Sequence, residues 1–492
     1  MDSPLVTTAQ MRAVEQSAFV RGATPERLMD QAGAGIARAV SDRFPEAGRC
    51  LAFAGKGHNG GDALVAAKHL RELNWTVDVR LPFAEAACAE LTQRKLGSLR
   101  DVPEKCGQRR RHTVVLDGLL GIGSQAPLRE PIRAACREIN EWRQSANATV
   151  FAIDVPTGLD ADSGQADRDC VVAEVTVTIG FAKAGLLADE AINFVGRLEV
   201  ISLEDLEPSG LTNERTVASH AALRSLLPRR GFGAYKNQFG RVGIVAGSKG
   251  LTGAAVLCTL GALRGGAGLV HLFVPQEIYS VVAAASPPEA MIRPIRSYAA
   301  LQDEPIDVWA VGPGLGRDDT AQILGFIAGT APPMVIDADG LNAIADDIGV
   351  LERCHGPRLL TPHPGEMERL DPGGDHDRAA RVRAFTVRHK ATLLLKGSRT
   401  IVAERNAPIS YNTTGHPAMA TGGIGDVTTG LCAALIAQHL SPYDAARMAA
   451  WIAGRAAEIA LFRGTESEQS LIARDMVDHL GAAFSDLQSA VD

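Results

Sequence analysis

Residues 50–73 read CLAFAGKGHNGGDALVAAKHLREL, and three signals follow one another in that line. The apolar run 50–55 suits a buried strand, the glycine-rich stretch 54–62, AGKGHNGGD, follows it, and 61–73 has the length of a helix. Strand, glycine loop and helix make up the repeating unit of a mostly parallel sheet covered on both faces. Working outward, strand-like runs recur at 76–81 (TVDVRL), 113–118 (TVVLDG), 149–155 (TVFAIDV), 174–181 (EVTVTIGF) and 197–202 (RLEVIS), with a helix-length segment at 130–143. Upstream, Met11, Val14 and Ala18 keep helical spacing, and after Pro25 so do Leu28, Ala32, Ile36 and Val40.

The strand pattern stops near Leu206. Residues 207–230 mix Pro208, Ser209, Gly210 and Asn213 with a short helical segment ending at Pro228, and a second series begins at Arg241. Its runs are RVGIVAG, LVHLFVP, DVWAVGPG, MVIDADG, RLLTPHPG, TLLLKG and TIVAE, and it closes with long helical segments over 425–486. The expectation is an α/β chain of two domains, 1–206 and 231–492, with 207–230 as the linker region. At 492 residues the chain is too long for one ordinary core, and 46% hydrophobic, 22% charged and 50 glycines is a globular α/β composition.

The formal charge of −7 gives no general attraction to nucleic acid. The one dense basic cluster, 108–112 (QRRRH), directly precedes an apolar run and reads as the solvated start of a strand. Eight cysteines, at 50, 88, 106, 136, 170, 258, 354 and 432, form no CxxC pair and no metal-ligand spacing, so a reduced cytoplasm is expected. Asp2, Arg12 and Glu15 stand where a signal peptide would be apolar, and no run reaches about 18 apolar residues, so no membrane partner is expected.

Three N-terminal strand ends carry polar residues on glycine-rich loops: 54–62, 117–123 (DGLLGIG) and 154–160 (DVPTGLD). Ligands of such sheets bind outside the carboxyl ends of strands, so the three loops point to one polar site. Taken singly, each is equally a tight connection, and Asp62 is equally a helix cap. In the C-terminal half, 246–255 (AGSKGLTGAA), GPGLG (312–316), TPHPGE (361–366), KGSRT (396–400) and TGGIGD (421–426) lie at corresponding places. His363 between two prolines suits a fixed ligand contact or a simple turn, and KGSRT suits a cationic contact or a solvated hairpin. The turn 421–426 before an apolar helix presents N–H groups to an anion, and Asp426 in it is a base candidate or a helix cap.

The N-terminal loops resemble those of NAD(P)H-hydrate epimerases over residues 11–203, and the resemblance implies a Rossmann-like three-layer sandwich. It implies a K+ ion held by Asn59, Asp117 and Thr157, and substrate contacts from His58, Asn59, Gly60, Gly61 and Asp62, from Gly121, Ile122, Gly123, Ser124, Gln125, Ala126 and Pro127, and from Asp154 as catalytic acid/base. His58 stands where the family usually has Asn, Gln31 where it often has Glu, and Ser124 and Thr157 also depart from the pattern.

The C-terminal motifs FGRVGIVAGS, GLTGAA, GPGLG, DADGLN, LTPHPGEM, LLKGSRT and GHPAMATGGIGD resemble, in order over 235–480, the ADP-dependent NAD(P)H-hydrate dehydratases of the ribokinase-like superfamily. That implies hydrate contacts from Ala254, Gly314, His363 and Asp426, nucleotide contacts from Lys396, Gly397, Ser398, Arg399, Thr400 and Gly425, and Asp426 as catalytic base. Ile424 replaces the usual Thr of the GTGD turn. ADP would be the phosphoryl donor with Mg2+, the hydrates of NADH and NADPH the substrates, and a homo-oligomer the assembly. The rival is a small-molecule kinase with an unrelated N-terminal domain. A nucleotide-sensing protein without turnover is a third reading, which the two catalytic carboxylates oppose.

Overall fold

The computed structural model describes residues 2–103, 112–124 and 126–489, so 108–111 of the basic cluster, Cys106 and Gln125 lie outside the described residues. The chain forms two compact units, one of residues 3–213 and one of residues 214–492 together with 1–2.

In the first unit, apolar runs become strands β1 (Arg49–Ala54), β2 (Thr76–Arg80), β3 (Thr113–Gly118), β4 (Thr149–Ile153), β5 (Val175–Ile179) and β6 (Arg197–Ile201). They pair in the order β2-β1-β3-β4-β5-β6, every pair parallel. Alternate residues serve opposite faces. Val114, Leu116, Phe151 and Ile153 pack with Ile36, Val40, Leu64 and Leu70, while Val115, Val150 and Ala152 pack with Leu128, Ile132 and Ile139. Helices Pro25–Arg43 and His58–Glu72 therefore cover one face and Ile132–Ser145 the other, the expected three-layer sandwich. Gly60 sets the close approach of helix to loop, since a Cβ there would lie 2.0 Å from the Gly55 carbonyl oxygen.

The second unit contains β7 (Arg215–Val217), β8 (Arg241–Val245), β9 (Leu269–Pro275), β10 (Met291–Ile295), β11 (Val308–Val311), β12 (Met334–Ile336), β13 (Arg358–Leu360), β14 (Thr392–Leu395), β15 (Ile401–Ala403) and β16 (Ile409–Tyr411). Their order is β7-β16-β15-β14-β13-β12-β11-β8-β9-β10, parallel except at β14-β15 and β15-β16. β7 and the helix His220–Leu226 fall inside the stretch read as linker. β7 is three residues long with a polar residue at its centre, so it left no apolar run to read.

Helices Thr252–Arg264 and Ile424–Ala437 pack backbone to backbone. A Cβ on Gly261 would lie 2.1 Å from the Val427 oxygen, and one on Gly430 2.0 Å from the Cys258 oxygen. The carboxyl ends of β8, β11, β12, β13 and β14 share one edge, where the glycine-rich loops lie. No helix of the described residues is long and apolar enough to cross a membrane.

Candidate active sites

In the N-terminal unit the backbone turns sharply after β4, and Asp154 takes φ +66°, an uncommon conformation for a residue other than glycine. Its Oδ1 accepts from the Ile179 amide (3.1 Å), the Thr178 hydroxyl (3.3 Å) and the Lys183 ammonium. Lys183 is 1% exposed. It donates also to Thr178 Oγ1 (3.1 Å) and to the Ile179 carbonyl (2.8 Å), so its three protons have fixed acceptors. Asp154 Oδ2 is directed elsewhere: a Cβ on Gly121 would meet it at 3.3 Å, and would meet Asn59 Oδ1 at the same distance. The missing side chain at Gly121 leaves room between an amide and the less encumbered carboxylate oxygen.

Asp62 is not a cap. It is the fifth residue of His58–Glu72, whose N-cap is Gly57. Burial first, then the charges of Asp154 and Glu15, push its carboxyl well above the usual range against the pull of Lys183. Glu15, on helix Thr8–Val20, is raised by burial and by Asp154, with Lys183, His58 and Arg12 opposing. Glu15 and Lys183 thus belong to the cluster, and neither was singled out from sequence. The only signal was a lysine just past the EVTVTIGF run.

Asp117, at the end of β3, is fully buried. Its Oδ1 accepts from the Thr157 hydroxyl (2.7 Å) and the Leu119 amide (3.3 Å), and Oδ2 from the Thr157 amide (2.8 Å). Burial raises it to about 6, although the Thr157 and Leu119 hydrogen bonds favour the ionised form. The Leu120 amide donates to Thr157 Oγ1 (3.1 Å), and the Asn59 Nδ2 is buried without an acceptor among the described residues. A buried polar group left without a partner marks a place where an ion or water completes the set. The donors gathered here are oxygens carrying one formal charge, a set that fits a hard monovalent cation. Ser124 holds the loop, its Oγ accepting from the Gly158 amide (2.9 Å). Ile122 packs against the core by Met11, whereas Ala126 and Pro127 are exposed beyond it.

The C-terminal site is a second chain of charges. Lys396 Nζ donates to Asp337 Oδ1 (2.6 Å) and lies 3.9 Å from Glu366 Oε2. A Cβ on Gly425 would be 3.2 Å from that ammonium, so the cation rests against the turn's backbone. Thr429 donates to Asp337 Oδ2 (2.8 Å). Burial alone would raise Asp337, but the Lys396 charge and these hydrogen bonds hold it below the ordinary range. Asp426 is pushed up to about 7, chiefly by burial, then by Asp337 and Glu366, against Lys396. Asp337, Glu366 and Thr429 are functional neighbours missed from sequence, although DADGLN and TPHPGE contain two of them.

The N-cap of Ile424–Ala437 is Gly423 at φ +90°, and the helix has no side-chain cap bond. Asp426 is therefore a first-turn residue, and its capping alternative falls away. The Ile424 side chain packs against the apolar core, which explains an aliphatic residue there, while its N–H stays in the turn. His363 does cap a helix: its Nδ1 accepts from the Gly365 (3.0 Å) and Glu366 (3.2 Å) amides, and Glu366 Oε2 accepts from the His363 amide (2.8 Å). The ring is thus anchored through Nδ1 at the mouth of the carboxylate cluster. Residues 396–400 do join antiparallel β14 and β15, yet Lys396 is paired inward. Arg378 fixes the loop by donating to the Ser398 (2.9 Å) and Arg399 (3.3 Å) carbonyls, with Arg399 buried at φ +58°. Gly314 and Ala254 meet, a Cβ on the glycine lying 3.1 Å from that of the alanine.

The fold is that of a two-domain α/β protein in which each unit gathers buried carboxylates around a lysine at the ends of its strands, the second beside a glycine-capped helix start. A family model described as YjeF-related protein N-terminus matches residues 25–185, and one described as NAD(P)H-hydrate dehydratase matches 242–474. The chain is 36% identical over 478 residues to the bifunctional NAD(P)H-hydrate repair enzyme Nnr of Gloeobacter violaceus, covering 91% of each. It is 34% identical over 526 residues to that of Moorella thermoacetica, covering 99% of this chain and 98% of the other. Among solved structures, a ribokinase-like superfamily protein of Enterococcus faecalis aligns with a TM-score of 0.51 at 23% identity, over 56% of this chain and 98% of that one. The chain belongs to the family of bifunctional NAD(P)H-hydrate repair enzymes. It is an enzyme with an epimerase-family domain followed by a dehydratase-family domain of ribokinase-like fold.

Proposed function

We propose that the chain interconverts the R and S hydrates of NADH and NADPH in its N-terminal unit and dehydrates the S form in its C-terminal unit, with ADP as phosphoryl donor. The observation that carries this reading is Asp426 in the first turn of a glycine-capped helix, with the Lys396 ammonium against the same turn. Asp426 takes the proton of the hydrate's hydroxyl. That oxygen bonds to the terminal phosphorus of ADP as the bridging P–O bond breaks and AMP departs. The turn's N–H groups, Lys396 and Arg399 hold the charge of the transferring group, and positioning supplies most of the remaining acceleration. The ring nitrogen's electron pair then expels phosphate, and a neighbouring ring carbon gives up a proton to restore the nicotinamide. The nucleotide's phosphates would hold Mg2+ through the hard oxygen ligands it favours, and the ion would supply positive charge there.

In the N-terminal unit the hydroxyl-bearing carbon adjoins the ring nitrogen. Asp62, whose carboxyl burial and the charges of Asp154 and Glu15 push well above the ordinary range, donates a proton to the departing hydroxide as the nitrogen's electron pair expels it. Water then adds to the opposite face and gives its proton to Asp154. Asn59, Asp117 and Thr157 would hold K+, which when bound supplies a fixed positive charge behind the substrate loop. Lys183 aims Asp154, and Gly121 leaves the gap in which the reacting carbon sits. Seven cysteines without disulfide partners among the described residues support a reducing, cytoplasmic setting.

The test is an assay of each purified hydrate epimer with ADP or ATP on the full-length chain, following the return of nicotinamide absorbance. Both epimers should be restored with ADP, without a stable phosphorylated product. Accumulation of a phosphorylated hydrate would instead mark a kinase, and loss of the R form's repair would remove the epimerase assignment.

A further inference from the structure

The C-terminal unit has a cavity of about 610 Å³ that neither activity uses. It lies at the far end of the two glycine-packed helices, against Gly265 after Thr252–Arg264 and Leu435 and Gln438 at the end of Ile424–Ala437. The catalytic turn is at the opposite end of the latter helix, 14 residues or roughly 20 Å away. Four guanidinium groups meet here, those of Arg224, Arg229, Arg230 and Arg264, and none of the described lining residues is acidic. On a chain of formal charge −7 that is a marked local excess.

Two helix C-termini present carbonyl groups to this cavity, and their partial charges of about half a unit each account for some of the cations. Among the described residues, Arg230 is the lining arginine engaged with them. It donates to the Gly266 carbonyl (2.6 Å), and its guanidinium stacks on Phe239, 3.9 Å from the ring centroid. No ion pair among the described residues uses Arg224, Arg229 or Arg264. Like charges gathered in a concavity without counter-charge repel one another, and an anion relieves that repulsion. The floor adds selectivity: Phe484 offers an aromatic face and Gln438 a side-chain amide already aligned by its bond to the Gly265 carbonyl (2.9 Å). The volume is that of a small-molecule site.

We propose that this cavity is a second anion site, separate from the phosphoryl site, and that it takes a phosphorylated small molecule carrying at least two negative charges. Arg229 and Arg264 bind the phosphate groups in bidentate fashion, and Arg230 forms the fixed wall. The site does not depend on the dehydratase reading.

The experiment is calorimetric titration of the full-length chain with inorganic pyrophosphate, with the phosphoryl site filled by saturating ADP. One pyrophosphate per chain should still bind, more weakly at 200 than at 50 mM salt because the guanidinium groups are screened. In Arg229→Gln/Arg264→Gln, affinity should fall at least tenfold while the dehydratase KM for ADP stays within twofold and the melting temperature is unchanged. Parallel titrations with NADP+ and with inorganic phosphate separate a dinucleotide preference from general affinity for phosphate. Absence of binding under saturating ADP, or unaltered binding in the double variant, overturns the proposal. Both substituted residues are exposed, so loss of fold does not complicate the outcome.

Discussion

Asp426 is a proposed base in surroundings that make it keep its proton. With its carboxyl pushed up to about 7 by burial and by Asp337 and Glu366, it is half-ionised near neutrality. Only the ionised form accepts a proton, so the dehydration rate should climb roughly tenfold per pH unit below that midpoint and level off above it. Asp337→Asn removes one of the negative charges and leaves Lys396 in place, so the midpoint should move to lower pH. A midpoint that stays or rises would contradict the assigned neighbours. Asp426→Asn should lower the dehydration rate about 10²–10⁴-fold with ADP affinity retained, measurable by single-turnover assay and calorimetry on the same sample. In the other unit, Lys183→Met leaves a buried carboxylate without its counter-charge. Urea unfolding should show the N-terminal unit destabilised by about 3–5 kcal/mol, and a change under about 1 kcal/mol would mean Asp154 finds another partner.

Helices Thr252–Arg264 and Ile424–Ala437 touch through their glycines, and this contact holds the helix that begins at the proposed catalytic turn. Gly430→Ala places a methyl where the Cys258 oxygen lies 2.0 Å away, so the helices must part. The expected cost is about 1–3 kcal/mol, with a lower dehydration rate and unchanged epimerisation; equal loss of both activities would point to global damage. Elements of this length were legible in the sequence, because a run such as RVGIVAG or the apolar stretch after TGGIGD shows its period within its own residues. Strands Arg215–Val217 and Ile409–Tyr411 were not: unlike the equally short Met334–Ile336 and Ile401–Ala403, each is interrupted by a polar residue, and only pairing defines them. The same holds at the sites. Asp117 and Asp154 show themselves as carboxylates where a strand meets a glycine-rich loop, whereas Asn59 and Thr157 were named through the family resemblance. Glu15 comes from a helix far upstream, and Lys183 from beyond a strand end, so their membership of the cluster exists only once the chain is folded.

Each unit contains one buried aspartate and lysine in contact, used in opposite senses. Lys183 orients the proposed catalytic Asp154, whereas Asp337 fixes Lys396 beside the proposed catalytic Asp426. Because each unit builds its own centre, the two activities should separate cleanly. Asp154→Asn should abolish repair of the R hydrate and leave that of the S hydrate, Asp426→Asn should abolish both repairs but not epimerisation, and mixing the two variants should restore full repair. Failure of the mixture would mean that the intermediate epimer never leaves the chain. ADP at about a hundred times its Kd should stabilise the unit that binds it by about 2.7 kcal/mol, seen by calorimetry as a shift confined to the dehydratase transition.

The bonds that aim Asp154 also settle how Lys183 responds to chemical reagents. An ammonium whose three protons are all held by fixed acceptors offers no lone pair to an electrophile. Carbonyl compounds that form imines with surface lysines should therefore pass it by, and covalent probes meant for the epimerase pocket will need a warhead that seeks carboxylates rather than amines.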